Sequence, residues 1–200
     1  MTDWTVINDA CLQGGQVPRP PKSPTLKKEL THVAEQITLR QGARALTLDA
    51  VARKAGLSKG GVLYYFRSKD DLIKAMIDDL DDEFEANIER FMAEDPVLRD
   101  RYTRAYVKAV FLWRGRKPCE VAGIAAGLMV ATANCPDLLV PHRRRSAAWQ
   151  AQVERDGLDP ELATVIAWAT EGWLFLQMFG HIPRRAKQER ILKQLLALTI

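Results

Sequence analysis

Cysteine and histidine are scarce in this chain of 200 residues, with only three of each. The cysteines, Cys11, Cys119 and Cys135, are odd in number and widely spaced, which argues against a disulfide framework. No group of cysteines and histidines has the spacing of metal ligands. The sequence also lacks a nucleophile elbow, a phosphate-binding loop and an evident acid–base pair. We therefore expect no metal, no cofactor and no enzymatic activity.

Long apolar segments are missing too. No uninterrupted apolar run reaches the roughly 18 residues that a membrane-spanning helix requires. Residues 1–24 lack the charged start, apolar centre and small-residue cleavage site of a secretory signal. The composition, with 47% apolar and 27% charged residues, is typical of a globular protein. We therefore expect a cytoplasmic protein that does not bind a membrane.

Positive charge is concentrated near the N-terminus. Residues 22–74 contain 11 lysines and arginines against 5 acidic residues, a net charge of +6 in a chain whose total is +4. A basic unit of this kind suits a polyanionic partner such as nucleic acid. Charge also varies across ordinary protein surfaces, so this observation alone leaves both interpretations open.

Helical periodicity extends over almost the whole chain, and no segment alternates with the period of a strand. Several prolines prevent a continuous helix in residues 1–24, which we expect to be a flexible extension, with a basic arm at Arg19 and Lys22 as the alternative. The spacing predicts helices over residues 25–41, 48–55, 59–66, 69–92, 97–113, 119–133, 139–155, 160–179 and 184–198. Pro141 is expected to delay the start of the helix over 139–155.

Two short helices, 48–55 and 59–66, have the spacing of a helix-turn-helix. Thr47 and Ser58 are typical N-cap residues for them, and Gly56 can take the positive φ of the tight turn between them. In the second helix, Val62 and Phe66 are four residues apart and are predicted to face inward. That helix is nevertheless too short and too polar at its start to be a core helix. We therefore expect it to face a partner.

The first turn of that second helix is Lys59-Gly60-Gly61. The absent side chains let its backbone approach DNA, and Lys59 can donate to a phosphate or to guanine. The glycines could instead simply help the chain to turn. The predicted DNA contacts are made by Thr47, Ser58, Lys59, Gly60, Gly61, Leu63, Tyr64, Tyr65 and Lys69.

The run from Thr47 to Leu72, TLDAVARKAGLSKGGVLYYFRSKDDL, resembles the DNA-binding domain of the TetR family of regulators, almost without gaps from Leu26 to Ile77. That family often has histidine at the position of Tyr65, and proline or lysine at that of Arg67. The resemblance implies an all-α protein with residues 59–66 as its recognition helix. A three-helix DNA-binding domain, residues 25–70, would precede a helical ligand-binding and dimerisation domain, residues 71–200.

The C-terminal part contains no specific motif, but its last two helices have apolar stripes. One is formed by Leu162, Val165, Ile166, Ala169, Trp173 and Leu176, and the other by Ile191, Leu195 and Leu198. The resemblance implies a homodimer, which we expect to form through these helices, and two half-sites of a pseudo-palindromic operator would require its two heads. Packing within one chain is the alternative. The basic run from His142 to Arg145 is interpreted as a solvated helix face.

Ligand pockets are mostly apolar, with few polar groups. The candidates for contact with an unidentified small-molecule effector are the aromatic residues Trp113, Trp149, Trp168 and Trp173, together with Glu120 and Glu171. These observations predict a DNA-binding transcriptional repressor that an effector releases from its operator. The alternatives are a regulator that ignores ligands, an activator, a sequence-nonspecific architectural DNA binder and an enzyme.

Overall fold

The computed structural model describes residues 23–199, so the predicted extension, with Arg19 and Lys22, lies almost entirely outside the described residues. Within that range the chain forms nine α-helices and two short 3-10 helices without any strand, which confirms the all-α prediction. None of the described helices is long and apolar enough to cross a membrane. The α-helices are α1 (Pro24–Gln41), α2 (Leu48–Ala55), α3 (Lys59–Tyr65), α4 (Lys69–Glu94), α5 (Arg101–Phe111), α6 (Pro118–Thr132), α7 (Val140–Glu154), α8 (Pro160–Met178) and α9 (Arg185–Ala197).

The first three helices form a small bundle, which we call the head. Its core contains Leu30 and Ile37 from α1, Val51 from α2, Val62 from α3, and Phe66 at the end of α3, all of them buried. Burial of Val62 and Phe66 confirms which face of the second short helix packs inward. The opposite face of α3 therefore remains on the surface.

Side chains cap the helices of the head at the predicted positions. The hydroxyl of Thr47 accepts a hydrogen bond from the N–H of Ala50 at 3.0 Å, and that of Ser58 accepts from Gly61 at 3.1 Å. Each cap satisfies one of the backbone donors that a helix start leaves without an intrahelical partner. Gly56 ends α2 in the left-handed conformation, with φ of 68°. These three residues fix the sharp turn between α2 and α3.

Two predicted boundaries are wrong. The helix expected over residues 97–113 begins only at Arg101, because Asp95 accepts a hydrogen bond from Val97 in a turn and Asp100 has a φ of 53°. A residue with positive φ cannot continue an α-helix. In α7, Pro141 lies in the first turn instead of delaying the start, since the first turn needs no N–H from proline.

The remaining helices form the body, at whose centre lies α5. Nine of its eleven residues are buried, and α4, α8 and α9 pack against it. The long helix α4 starts directly after the head and continues along α5, so it belongs to both parts. A movement of α4 within the body would therefore also move its first residues, which follow α3 of the head.

The body also contacts the head through α6, which packs against α1. Two glycines of α6 make this contact close. A Cβ atom at Gly127 would collide with Cγ2 of Thr38, and one at Gly123 would lie 2.7 Å from Cδ2 of Leu39. A larger residue at either position would therefore require the side chain of Thr38 or Leu39 to move.

Arg116, in the loop between α5 and α6, joins head and body electrostatically. Its guanidinium lies 2.6 Å from Oε2 of Glu35 on α1 and binds both carboxylate oxygens of Glu83 on α4, with Nε 2.7 Å from Oε2. Burial raises the pKa of Glu35, and the hydrogen bond from Arg116 opposes that rise. Arg116 thus links α1 of the head to α4.

Candidate nucleic-acid interface and ligand cavity

The outer face of α3 presents Lys59, Gly60 and Leu63 to solvent. Leu63 is 37% exposed, an unusual environment for a leucine in a short helix whose other apolar residues are covered. A surface with a cation, a bare backbone and a single methyl-bearing side chain matches the phosphates and base edges of a major groove. All predicted DNA contacts lie between Thr47 and Lys69, around this helix.

Packing within the chain does not require the two glycines of α3. A Cβ atom at Gly60 would have Ser58 Oγ as its nearest neighbour at 3.9 Å, and one at Gly61 would lie 3.5 Å from the same atom. Neither glycine is among the residues with positive φ. The alternative that they merely help the chain to turn therefore has no support in the structure, and the absent side chains leave room for something outside the molecule.

Lys59 forms an ion pair with Asp49 of α2, with Nζ 3.1 Å from Oδ2. Both side chains are 60% exposed, so the pair contributes little stability. Lys59 can therefore exchange Asp49 for a phosphate or a guanine at low cost.

The two tyrosines of α3 contact each other, and Tyr65 also links α3 to α1. They meet edge to face, with ring centroids 5.3 Å apart, and both are half-buried. The hydroxyl of Tyr65 accepts a hydrogen bond from the N–H of Ser23 at 3.2 Å, which ties α3 to the start of α1. Tyr65 is thus a structural link within the head, whether or not it also contacts DNA. Lys69, at the start of α4, is half-buried.

A cavity of about 270 Å³ lies in the body between α4, α5, α6, α7 and α8. Three of the six predicted ligand contacts, Trp113, Trp149 and Glu171, border it. Phe84 of α4 joins the two tryptophans, with ring centroids 5.8 Å from Trp113 and 4.8 Å from Trp149. The three rings form an aromatic wall.

The other three predicted ligand contacts lie elsewhere. Trp168 is 67% exposed on the outer face of α8. Trp173 is buried and stacks on Phe111, with ring centroids 4.8 Å apart. The carboxylate of Glu120 accepts a hydrogen bond from the backbone N–H of Lys117 at the start of α6. The helical pattern places all three on helices of the body, but it cannot tell the inner side of a cavity from the core or the surface.

Two charged residues of the cavity were missed by sequence reasoning. Asp81 interrupts the apolar stripe of α4, four residues after Ile77, and this break in the stripe was the available signal. His142, interpreted as part of a solvated face, is half-buried, and its Nδ1 lies 2.8 Å from Oδ1 of Asp81. That hydrogen bond raises the pKa of His142, against the opposing effect of burial. Arg145, from the same basic run, binds Asp82 and Glu85 of α4.

The two carboxylates that border the cavity, those of Asp81 and Glu171, have few hydrogen-bond partners within the described residues. Oδ2 of Asp81 is buried and has no hydrogen-bond partner within residues 23–199. Glu171 accepts a hydrogen bond from the hydroxyl of Tyr106, whose pKa is raised by burial and by the charge of Glu171. Nowhere in the described chain do three or more histidine, cysteine, aspartate and glutamate residues form a group that could hold a metal ion.

A third surface lies on α8 and just beyond it. Val165, Trp168, Phe175 and Phe179 are each at least half exposed. The predicted stripe therefore divides, because Ile166 and Trp173 point into the core while Val165 and Leu176 remain on the surface. On α9, Leu195 is buried and Leu198 is exposed.

Comparison with known proteins gives a consistent result. The model of the tetracyclin repressor-like C-terminal domain matches residues 100–200, and that of the bacterial regulatory proteins of the tetR family matches residues 30–76. The search of curated proteins finds no match.

Solved structures share the fold at low sequence identity. A transcriptional regulator from Rhodococcus is 17% identical, with a TM-score of 0.70 over 86% of this chain and 95% of that one. The multidrug binding protein EbrR, complexed with imidazole, is 20% identical, with a TM-score of 0.60 over 89% and 97%. A ketosteroid transcriptional regulator of Mycobacterium tuberculosis is 15% identical, with a TM-score of 0.61 over 89% and 94%. With half of its length matched by one family model and its helix-turn-helix by another, the chain belongs to the TetR family of bacterial transcriptional regulators.

Proposed function

We propose that this chain is a homodimeric repressor that a small molecule releases from a pseudo-palindromic operator. The observation that carries the proposal is the pair of glycines at the exposed start of α3, which the fold itself does not need. Two such helices, held about 34–36 Å apart by the dimer, would enter successive major grooves on one side of the duplex. The protein would act in the cytoplasm, on DNA, without catalysis.

The assignment of residues to DNA follows from their exposure. Lys59 supplies positive charge, Gly60 and Gly61 allow close approach, and Leu63 offers an apolar contact for a thymine methyl group. Thr47, Ser58 and Lys69 lie at the starts of α2, α3 and α4, where hydroxyls and the ammonium can position the phosphate backbone. Tyr64 and Tyr65 complete the proposed surface.

Dimerisation is proposed through α8 and α9, because large apolar side chains are exposed on α8 and directly after α8, and Leu198 is exposed directly after α9. Exposed apolar patches of this kind mark interaction surfaces. Gly172 supports the same proposal, since a Cβ atom there would meet nothing within 4 Å and the glycine lies between Trp168 and Phe175 along α8. A second copy could therefore approach closely at that point.

The effector is proposed to bind in the cavity of the body. Four residues of α4 border it, namely Ile77, Leu80, Asp81 and Phe84, and only three residues separate the end of α3 from the start of α4. A ligand that favours another position of α4 would swing the heads out of register with the grooves, like a pendulum. It can do so only through different affinities for the two states. EbrR, which has the same fold, has been solved in complexes with ethidium and malachite green.

The boundaries of the two functional units remain part of this proposal. We propose residues 25–70 as the DNA-binding domain and residues 71–200 as the ligand-binding and dimerisation domain. Close contact of α1 with α6 and the shared ion pairs of Arg116 support a coupled action of the two units.

The test begins with selection of duplexes from a random pool by the purified full chain. The proposal expects a pseudo-palindromic consensus. Lys59→Ala should weaken binding to it and make the affinity less sensitive to salt. The slope of the logarithm of affinity against the logarithm of salt concentration should fall by about 0.9 for each phosphate that Lys59 neutralises. Arg144→Ala removes the same charge from an exposed position of α7, outside the head and outside the proposed dimer helices, and is the matched control.

Two outcomes would contradict the proposal. Recovery of no consensus would indicate an architectural DNA binder, and equal effects of Lys59→Ala and Arg144→Ala would remove α3 from the interface. A consensus that no compound bound in the cavity can release would indicate the ligand-independent alternative.

A further inference from the structure

We propose that the cavity of the body is selective for a lipophilic cation with a planar aromatic part. This inference rests on the proposed function only in assigning the cavity to a ligand. It goes further by naming the charge and shape of that ligand from the residues that surround the space.

Acidic residues outnumber basic ones at the border of the cavity. Asp81 and Glu171 are its acidic residues, His142, which is hydrogen-bonded to Asp81, is its basic residue, and Ser146 is polar and uncharged. Within the described chain no lysine or arginine borders it. Ionised carboxylates only accept hydrogen bonds and repel an anion, so the cavity discriminates against negatively charged ligands.

Neither carboxylate is fully neutralised by the protein. The guanidinium of Arg145 approaches Oδ2 of Asp81 only to 4.0 Å, and it is engaged at 2.8 Å by Asp82 and at 2.7 Å by Glu85. His142 occupies the other oxygen of Asp81. Glu171 makes no ion pair within the described chain and accepts a hydrogen bond from the neutral hydroxyl of Tyr106. A cation bound between these groups removes the cost of a charge that is partly withdrawn from water.

The wall of the cavity suits the rest of such a ligand. Phe84 and Trp113 are stacked, with an angle of 25° between their ring planes, and Trp149 meets Phe84 at 65°. A flat ring gains apolar contact against these surfaces. Aromatic faces and uncompensated carboxylates together recognise a delocalised aromatic cation better than a small hydrated ion.

Three probes of nearly equal shape distinguish the effect of the ligand's charge on affinity from the effect of burying its apolar surface. They are the permanent cation 1-methylquinolinium, the neutral 1-methylnaphthalene and the anion 1-naphthoate, and their binding to the full chain is measured by titration at one pH. The expected order of affinity is cation, neutral compound, anion. The cation should exceed the neutral probe by about tenfold or more, as for charge-assisted contacts away from water.

Glu171→Gln keeps the shape and removes the charge. It should lower the affinity for 1-methylquinolinium by about tenfold and leave that for 1-methylnaphthalene unchanged. Glu161→Gln removes the same charge from an exposed position of α8 outside the cavity and should change neither affinity. Asp81→Asn is the second variant, used if Glu171→Gln lowers the melting temperature enough to disturb binding.

The inference is overturned if 1-methylquinolinium does not bind, if the neutral or anionic probe binds as tightly, or if both carboxylate variants keep the affinity for the cation. Release of the selected operator is measured separately. A cation that binds without releasing DNA counts against the proposed repressor mechanism alone. A neutral or anionic compound that releases DNA supports that mechanism and refutes cation selectivity.

Discussion

The head and the body present their proposed functional surfaces in opposite ways. In the head, the proposed DNA contact lies outside a well-packed core, on a helix face where Gly60 and Gly61 carry no side chain. In the body, the proposed ligand site lies inside, where Asp81 and Glu171 are beside an apolar cavity. A change on the face of α3 can therefore alter DNA binding without disturbing the fold, whereas a change in the body alters packing, charge and function together.

The largest expected effect tests whether the head depends on the body for affinity. Trp168→Arg puts a charge on the proposed dimer surface, where the tryptophan is already exposed in the monomer, so the fold should survive. Loss of the dimer should reduce operator affinity by roughly a hundredfold to ten-thousandfold, because each head then binds its half-site alone. Sedimentation and operator titration measure the two effects.

Leu98→Arg is the control for this change. Leu98 is 74% exposed in the loop between α4 and α5, so the substitution introduces the same charge at another apolar surface position. A dimer that persists in Trp168→Arg would exclude the exposed face of α8 from the interface.

The same contrast explains what could be predicted from the sequence. The caps Thr47 and Ser58, the turn at Gly56 and the inward Val62 and Phe66 are determined within a few residues of one another, so local pattern predicts them. The cavity draws on five helices between Ile77 and Met178, and its acidic lining depends on how they pack. Periodicity could therefore find Trp113 and Trp149 as apolar residues, but it could not distinguish them from Trp173, or predict that His142 turns inward to Asp81.

The second prediction concerns the link between head and body. Arg116→Met leaves the buried carboxylate of Glu35 with only His32, at 3.4 Å, as a basic partner, which should lower the free energy of unfolding by at most about 3–5 kcal/mol at neutral pH. The remaining carboxyl has a pKa raised by burial, so the folded state binds its proton more tightly than the unfolded state. Stability then falls as pH rises through that raised pKa, and the defect should be smallest in acid. Denaturant unfolding across pH measures it.

Glu35→Gln in the Arg116→Met background provides the comparison, because it removes the unpaired charge as well. It should restore part of the stability and abolish the added pH dependence. An equal loss of stability at every pH in the single variant would mean that packing around Arg116, and not the charge of Glu35, dominates.

The third prediction separates stability from function in the head. Gly60→Ala should raise the free energy of unfolding by about 1 kcal/mol, since alanine is the better helix former and its Cβ meets nothing closer than 3.9 Å. Operator affinity should fall at the same time, because the added methyl group stands where the groove must approach. Thermal unfolding and operator titration of one preparation measure the change in stability and the change in operator affinity. A gain or no change in operator affinity would contradict the proposed docking of α3.

The smallest expected effect concerns His142, whose charge is half-exposed and therefore contributes little to the stability of the body. Its hydrogen bond with Asp81 raises its pKa above the ordinary value, so the bond stabilises the fold fully below pH 6.5 and is lost as pH rises through the raised pKa. His142→Gln should therefore lower stability in mild acid and have almost no effect in alkaline solution. The loss should stay below about 1 kcal/mol, because the imidazole is 40% exposed and screened by water. His181→Gln, at an exposed histidine after α8, is the control, and a matching pH profile in the two variants would show that the bond with Asp81 contributes nothing specific.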